Sequence, residues 1–378
     1  MNNARRVTLA DIATRAGVHV TTVSLALRNH PRLPESTRAR IKQLAQEMGY
    51  APDPFLRALI AYRRQRMPTH TIPTLAYVTN WQTRWGWKKV PAHLQFFGGA
   101  QAKAKELGYQ LEHFWLHEEG FTQKRLGRIL YTRGINGLIV ASHSREMGDE
   151  LQLEWKNFSA VKIDYFPHQP LLHNVTNNQC NIIRLAVRKV LAAGYRRIGF
   201  VVHRGWDHAV DHNWTAGFLC EQQHLPVKDR VPAHIFPELN PVERWFYETN
   251  ASVQADLKPF EKWFRHYKPD VIVSKAAYVL PLLETMGLKI PQDVAFVNLF
   301  LDQTDGKMAG VRQNHDIVGG VAVEILAGQL QHNKFGLPEV PTTTFVEGNW
   351  FDGATCPPIG SPHYVRPGLT LAPATPEK

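Results

Sequence analysis

Residues 7–52, VTLADIATRAGVHVTTVSLALRNHPRLPESTRARIKQLAQEMGYAP, are written as three short helices around one small core. Thr8 stands three positions before Asp11, a capping-box spacing that offers a side-chain oxygen to the orphan amides of a helix starting at Leu9. Leu9, Ile12, Ala13 and Ala16 form that helix's apolar stripe, and Gly17 allows the positive φ of a sharp turn. A second helix is predicted over about 20–28, with Val23 and Leu27 inward and Val20, Thr21, Ser24, Leu25 and Arg28 outward. Short polar and small apolar side chains on an exposed helix suit base edges and thymine methyls in a major groove. Pro34 opens a third helix, where Ile41, Leu44, Ala45 and Met48 share one face and Gly49 marks the stop.

The charge distribution agrees with this reading. The 378 residues carry a net charge of +11, and residues 1–66 alone hold twelve Lys and Arg against four Asp and Glu, or eight of those eleven charges. Such asymmetry is expected when one small domain meets a polyanion and the remainder does not. With 44% apolar residues, a chain of this length can bury at least two cores. No stretch approaches the ~18 to 20 apolar residues of a membrane helix, and the start MNNARRVTLADIA lacks an apolar run of signal-peptide length, so a cytoplasmic protein is expected. Cys180, Cys220 and Cys356 are too few and too scattered for a zinc site or a disulfide framework.

Beyond Gly49, Asp53 caps and Pro54 starts a short fourth helix over about 54–62. A helix under ~12 residues barely repays its nucleation, so this one should order only against DNA and a partner helix, acting as a hinge. The competing reading docks Phe55, Leu56 and Leu59 on the following domain. Residues 61–73 form a basic, proline-containing linker after a headpiece of residues 1–60.

These residues carry a resemblance. TLADIATRAGV, TVS, TRARI and MGYAP sit at the spacings of the lactose-repressor/galactose-repressor headpiece, and the stretch resembles that family without a gap. The resemblance implies that Val20, Thr21, Ser24 and Leu25 face bases or phosphates, and that Thr8, Thr22, Thr37 and Arg38 hold phosphates. It also places Leu59 where paired hinge helices wedge the minor groove. His19, Leu25 and Arg28 depart from the usual serine, arginine and asparagine, so the half-site read should differ from well-known operators.

From Leu75 the pattern alternates buried strands with amphipathic helices, and helix–Gly–Tyr–strand recurs at Gly108-Tyr109 and Gly194-Tyr195. The fold class expected is α + α/β, a helix-turn-helix headpiece with hinge helix and then a two-lobed, doubly wound α/β domain over 74–352. GINGLIV, LAAGYRRIGF and IPQDVAFVN are similar to the periplasmic-binding-protein-like effector domain of the same family. That likeness implies a homodimer on a pseudo-palindromic double-stranded operator, released or engaged by a small molecule between the lobes. It carries Asn80, Trp81, Asp164 and Gln313 over as effector contacts. Trp214 stands where many members grip sugar hydroxyls with arginine, Ser274 where they have asparagine, and Asn298-Leu299-Phe300-Leu301 where they have a Gly-aromatic-Asp-Asp segment, so a sugar effector is not assumed. Trp81, Trp85, Trp87, Trp206 and Trp214 near strand ends could together wall such a site.

His203, Asp207, His208, Asp211 and His212 cluster without a second ligand group to complete a metal shell, so a solvated turn or helix start is expected, and neither metal nor cofactor. No nucleotide-binding glycine loop, nucleophile elbow or HExxH motif occurs, and an enzyme is not expected. Residues 353–378 read as a proline- and glycine-rich tail, packed in part or not at all. A sequence-specific transcriptional regulator, a repressor first among the readings, competes with two others. These are a cytoplasmic small-molecule binding protein with a basic arm, and an architectural DNA binder whose sensor is vestigial.

Overall fold

The computed structural model describes residues 7–27, 29–30, 32–50, 72–120, 122–143, 148, 150–166, 169–236 and 250–360, with backbone only for 250–255. The headpiece contains α1 (Leu9–Ala16), α2 (Val20–Leu27) and α3 (Glu35–Glu47). The Thr8 hydroxyl accepts from the Asp11 amide at 3.3 Å while Asp11 Oδ2 accepts from the Thr8 amide at 2.7 Å, closing the expected capping box. Gly17 turns the chain at φ 66°. Ile12, Ala13, Ala16, Val23, Ala26, Ile41 and Ala45 fill the core. Ala26 is fully buried where the sequence pattern favoured Leu27, which packs only at the margin of that core.

Along the rest of the chain follow β1 (Thr74–Asn80), α4 (Pro91–Glu106), β2 (Gln110–Trp115), α5 (Gln123–Thr132), β3 (Gly137–His143), β4 (Ser159–Ile163) and β5 (His173–Asn177). Then come α6 (Gln179–Ala192), β6 (Ile198–His203), α7 (Arg204–Ala209), α8 (Asn213–Gln222), β7 (His234–Phe236), α9 (Asn250–Tyr267) and β8 (Val271–Ser274). The last elements are α10 (Ala276–Thr285), β9 (Ala295–Asn298), β10 (Ala309–Arg312), α11 (His315–Gln331), β11 (Thr343–Val346) and β12 (Asn349–Phe351).

Two six-stranded sheets result, ordered β11-β5-β4-β3-β1-β2 in lobe 1 and β12-β10-β9-β8-β6-β7 in lobe 2. Every pairing is parallel except β10 with β12. Strands covered by helices on both faces must be apolar throughout, and β3 is buried at all seven positions. Three crossovers join the lobes: β5 to α6 through Asn178, β10 to α11 through Gln313 and Asn314, and β11 to β12 through Glu347 and Gly348. The C-terminal edges of the central parallel strands, where open α/β sheets hold ligands, therefore lie on the interlobe side.

The segment expected as a tail from 353 is packed in part, residues 353–360 sealing lobe 2. Thr355 O accepts from the Phe296 amide at 2.9 Å, Pro357 O from the Tyr195 hydroxyl at 2.7 Å, and Cys356 is buried. Proline and glycine there remove helical and strand periodicity without removing packing.

Within lobe 1, α4 and α11 touch backbone to backbone. A Cβ on Gly319 would lie 2.0 Å from Phe96 O, and one on Gly99 1.8 Å from Asp316 O. Gly319→Val should therefore cost at least the ~1–3 kcal/mol of an overpacked core. Urea unfolding of lobe 1 measures the loss, and an unchanged midpoint would show that the helices do not meet this closely.

Candidate DNA-reading and effector sites

On α2, Val20 and Thr21 are exposed and Ser24 and Leu25 half-buried, while Val23 and Ala26 turn inward, so the expected reading face is open. His19 precedes this helix as its cap. Nδ1 accepts from the Thr21 amide at 3.3 Å and lies 2.8 Å from Thr21 Oγ1. An accepting Nδ1 leaves the proton of a neutral ring on exposed Nε2, a donor at the start of the reading face. Serine's capping role thus passes to an imidazole that reaches further out. Thr8 is occupied by its capping box, Thr22 and Thr37 are half-buried, and the Arg38 guanidinium donates to Asn29 O at 3.1 Å. The expectations at Arg28 and Leu59, and the hinge helix of 54–62 with most of the linker, fall outside the described residues.

The six expected effector contacts separate into three kinds. Asp164 and Trp81 converge on His93, which begins the lobe 1 face at the start of α4. His93 Nε2 lies 3.8 Å from Asp164 Oδ2, and the Trp81 ring stands edge-on at 5.3 Å. Asp164 takes a left-handed backbone at φ 82° and accepts from the Tyr165 amide at 2.8 Å. Burial alone would raise its carboxyl, but His93, the Tyr165 N–H and the Lys162 charge outweigh it and hold the group below its usual range.

Gln313, of the second kind, is a hinge residue. Its Nε2 donates to Leu299 O at 2.7 Å, its Oε1 accepts from Gln179 Nε2 at 2.9 Å, and its carbonyl accepts from Asn177 Nδ2. It also borders a cavity of about 240 Å³ between the lobes, lined further by Gln95, Phe300, Leu301, Asp302, Arg312, His315 and Asp316.

The remaining three are corrected to structural roles. Asn80 holds loops, Nδ2 donating to Gly148 O at 2.9 Å and Oδ1 lying 2.5 Å from His117 Nε2. Ser274 is fully buried and donates to Val201 O at 2.6 Å. Trp214 is 1% exposed and belongs to the lobe 2 core, its indole N–H donating to Gln179 Oε1 at 2.7 Å. The indole turns inward and keeps one hydrogen bond for its N–H.

The five tryptophans do not form one wall. Trp85 and Trp87 group with His113 in lobe 1, and Trp206 lies parallel to Trp214 at 6.4 Å in lobe 2. The His/Asp cluster lies at helix starts, one of the two settings expected for it. Asp207 is buried and caps α8, accepting from the Thr215 amide at 3.1 Å, its hydroxyl at 2.7 Å and His212 Nδ1 at 3.0 Å. Among the described residues no group of three or more His, Cys, Asp or Glu side chains is arranged to hold a metal.

Residues missed from sequence span the lobes. Gln95 Nε2 donates to Asp302 Oδ1 at 3.3 Å, and the Phe300 ring stacks on His315 at 6.3 Å and 14°. Lys275, directly after β8, packs over Trp206, Phe300 and Tyr278 at 4.2, 5.2 and 5.3 Å. Inspecting the position after every strand end would have singled out Lys275; Gln95 and His315 leave no local signal.

A capped three-helix reader joined to two doubly wound lobes that share a polar hinge and an interlobe cavity defines a DNA-binding regulator with a two-lobed sensing domain. The family model described as bacterial regulatory proteins, lacI family, matches residues 8–53. The chain is 24% identical over 341 residues to the HTH-type transcriptional repressor PurR of Aliivibrio salmonicida, covering 86% of this chain and 92% of that one. It is 22% identical over 338 residues to the HTH-type transcriptional repressor CytR of Escherichia coli K12, covering 87% and 91%. In fold it is similar to the lac repressor dimer bound to operator and the anti-inducer ONPF, with a TM-score of 0.52, 17% identity and coverage of 93% and 100%. The transcriptional regulator CelR in complex with cellobiose gives a TM-score of 0.52 at 18% identity, covering 91% and 98%. Residues 8–53 thus carry a headpiece that matches the lacI family of bacterial regulatory proteins, and the rest of the chain is similar in fold to regulators of that kind. Its named relatives are transcriptional regulators. Among the described residues no helix is long and apolar enough to cross a membrane.

Several imidazoles make the sensing domain sensitive to acid. Burial pushes His315 down to about 4, helped by His93 and opposed by Asp164. Burial likewise pushes His234 to about 4, and with Arg84 and Lys88 it pushes His113 to about 4. Between pH 6.5 and 4 the unfolded chain takes up protons that the folded one refuses, so stability is lost as the pH falls. The thermal midpoint should drop across this interval, and His315→Asn should remove part of the drop. A midpoint independent of pH there would contradict neutral burial.

Proposed function

We propose that this protein is a homodimeric, cytoplasmic transcriptional repressor that binds a pseudo-palindromic operator with sequence specificity, and that a small molecule seated between its lobes controls that binding. The observation that carries the reading is the joining, in one chain, of a headpiece with an open reading face on α2 to two lobes that share a polar hinge and a cavity and are bridged by weak side-chain contacts. Val20, Thr21, Ser24 and Leu25 would meet base edges from the major groove, His19 Nε2 would donate to a phosphate at the helix start, and Thr37 and Arg38 would fix register. Leu59 of each protomer would enter the minor groove between the half-sites.

A ligand can shift the lobes only as far as its affinities for their two arrangements differ, so the effector must touch both. Gln95, His315, Asp164 and Trp81 would offer the lobe 1 contacts, Phe300 and Asp302 those of lobe 2. The relatives include a protein solved with cellobiose, and a carbohydrate is one class that a cavity of this size would take.

Selection of bound sites from random DNA followed by footprinting tests the reading. Two protected half-sites of dyad symmetry are expected, and uninterrupted, sequence-indifferent coverage would overturn it. On the selected site, Leu59→Ala should weaken specific binding by more than it weakens non-specific binding. Equal losses would remove the minor-groove role.

A further inference from the structure

Lys275 is the charge in lobe 2 that the regulator reading leaves unused. It follows the buried end of β8, and its ammonium sits over Trp206 at 4.2 Å, Phe300 at 5.2 Å and Tyr278 at 5.3 Å. These rings fix the long side chain through their negative faces and remove much of its water. Among the described residues it makes no ion pair within 4 Å and stands behind the Phe300 wall of the cavity, whereas Arg312, which lines the cavity itself, has Asp316 at 3.8 Å. Phe300 belongs both to this cage and to the cavity wall, and Asp302, which also lines the cavity, is the carboxylate whose field reaches Lys275. Asp302 itself is engaged across the lobes by Gln95.

A half-dehydrated ammonium beside a cavity, held rigid and not neutralised, is a prepared partner for an anion. The other walls narrow the class. Asp302, Asp316 and the Gln95 and Gln313 amides would take hydroxyl groups, and Phe300 offers a flat apolar face to C–H groups. A cavity of about 240 Å³ holds a small molecule only. A doubly charged phosphate would meet two aspartates, and the one arginine of the lining, Arg312, already stands 3.8 Å from Asp316. We infer that the effector is a polyhydroxylated carboxylate of about monosaccharide size, a sugar acid, whose carboxylate is read by Lys275. This rests on the interlobe effector reading given above.

Binding also acquires a pH signature. Burial pushes the Lys275 ammonium down to about 8, opposed by Asp302. The other titratable groups around it are Tyr278 from α10 and, against that phenol, His203 from β6; Arg312, His315 and Asp316 lie around the cavity. As pH rises above 8 the ammonium loses its proton and affinity for the acid should fall, by about tenfold per unit.

The test is isothermal titration of the full-length protein with D-glucuronate, D-galacturonate and D-gluconate, beside D-glucose, D-galactose and D-glucose 6-phosphate. At least one acid should bind more tightly than its neutral counterpart. Lys275→Met should weaken it by roughly 10- to 100-fold, the loss expected for a charge-assisted hydrogen bond. Lys275→Arg should restore binding and abolish the decline above pH 8. The unliganded melting temperature of each variant separates loss of the site from loss of the fold. Neutral sugars that bind as well as the acids, indifferent to Lys275→Met, would overturn the acid class and leave the interlobe effector reading standing. Acid binding unchanged in Lys275→Met, preference for the phosphate, or no binding of any acid would each overturn the inference.

Discussion

Each time the chain passes between lobes it leaves one sheet's hydrogen-bond ladder before it joins the next, and the polar groups of those few residues must find partners elsewhere. Three such passages run side by side, and Gln313 answers for much of them. Its side chain both accepts from Gln179 and donates to Leu299, while its carbonyl takes the Asn177 amide. Gln179 in turn accepts from the Trp214 indole, which ties the hinge to the lobe 2 core. On the outer side, Glu347 accepts from Asn178 at 2.7 Å and Asn181 at 2.6 Å, and Asn314 donates to Glu347 O and Asn349 Oδ1. A buried network costs most when half made, so each member constrains the next and the hinge has little freedom to slip.

That constraint explains where the effector site departs from the family resemblance. Trp214 stands at the position that suggested a sugar-gripping arginine. Its bond to Gln179 draws the indole into the core, and the polar function expected there is not replaced in place. Polar and charged groups gather instead beside Phe300, where Asp302, Lys275, Gln95 and His315 meet.

The headpiece was legible because its determinants are local. Thr8 and Asp11 are three residues apart, Gly17 is the next residue after its helix, and the stripe of Ile12, Ala13 and Ala16 has only to meet neighbours within forty residues. The two lobes were legible from strand and helix periodicity for the same reason. The sensing site was not, since Gln95 and Asp302 lie 207 positions apart and neither carries a pattern that names the other. Resemblance supplied positions there but not roles, and Asn80, Ser274 and Trp214 became scaffold once their hydrogen-bond partners were fixed. For residues 353–360 the packed and unpacked readings both stayed open, since packing without periodicity leaves no sequence trace.

The energetics of the interlobe contacts also favour control by a ligand over a fixed posture. Among the described residues, side-chain contacts between the lobes apart from the hinge include the 3.3 Å Gln95–Asp302 hydrogen bond, the Phe300–His315 stack, the half-exposed Arg312–Asp316 pair at 3.8 Å and Tyr165 against the lobe 2 core. A net hydrogen bond contributes about 0.5–1.5 kcal/mol, and a ring pair a similar amount. Moving a two-state equilibrium from 1:99 to 99:1 takes about 5.5 kcal/mol. The hydrogen bond and the stack together fall well short of that and a half-exposed ion pair adds little, so these polar contacts bias the lobe angle without locking it. A ligand that joined lobe 1 at His315 and Gln95 to lobe 2 at Asp302 and Lys275 would add several charge-assisted hydrogen bonds present in only one arrangement, and such bonds are worth about 1.5–3 kcal/mol each. Two or three of them suffice to decide the angle, and a hinge already saturated with hydrogen bonds would pass that decision to the chain leading toward the headpiece.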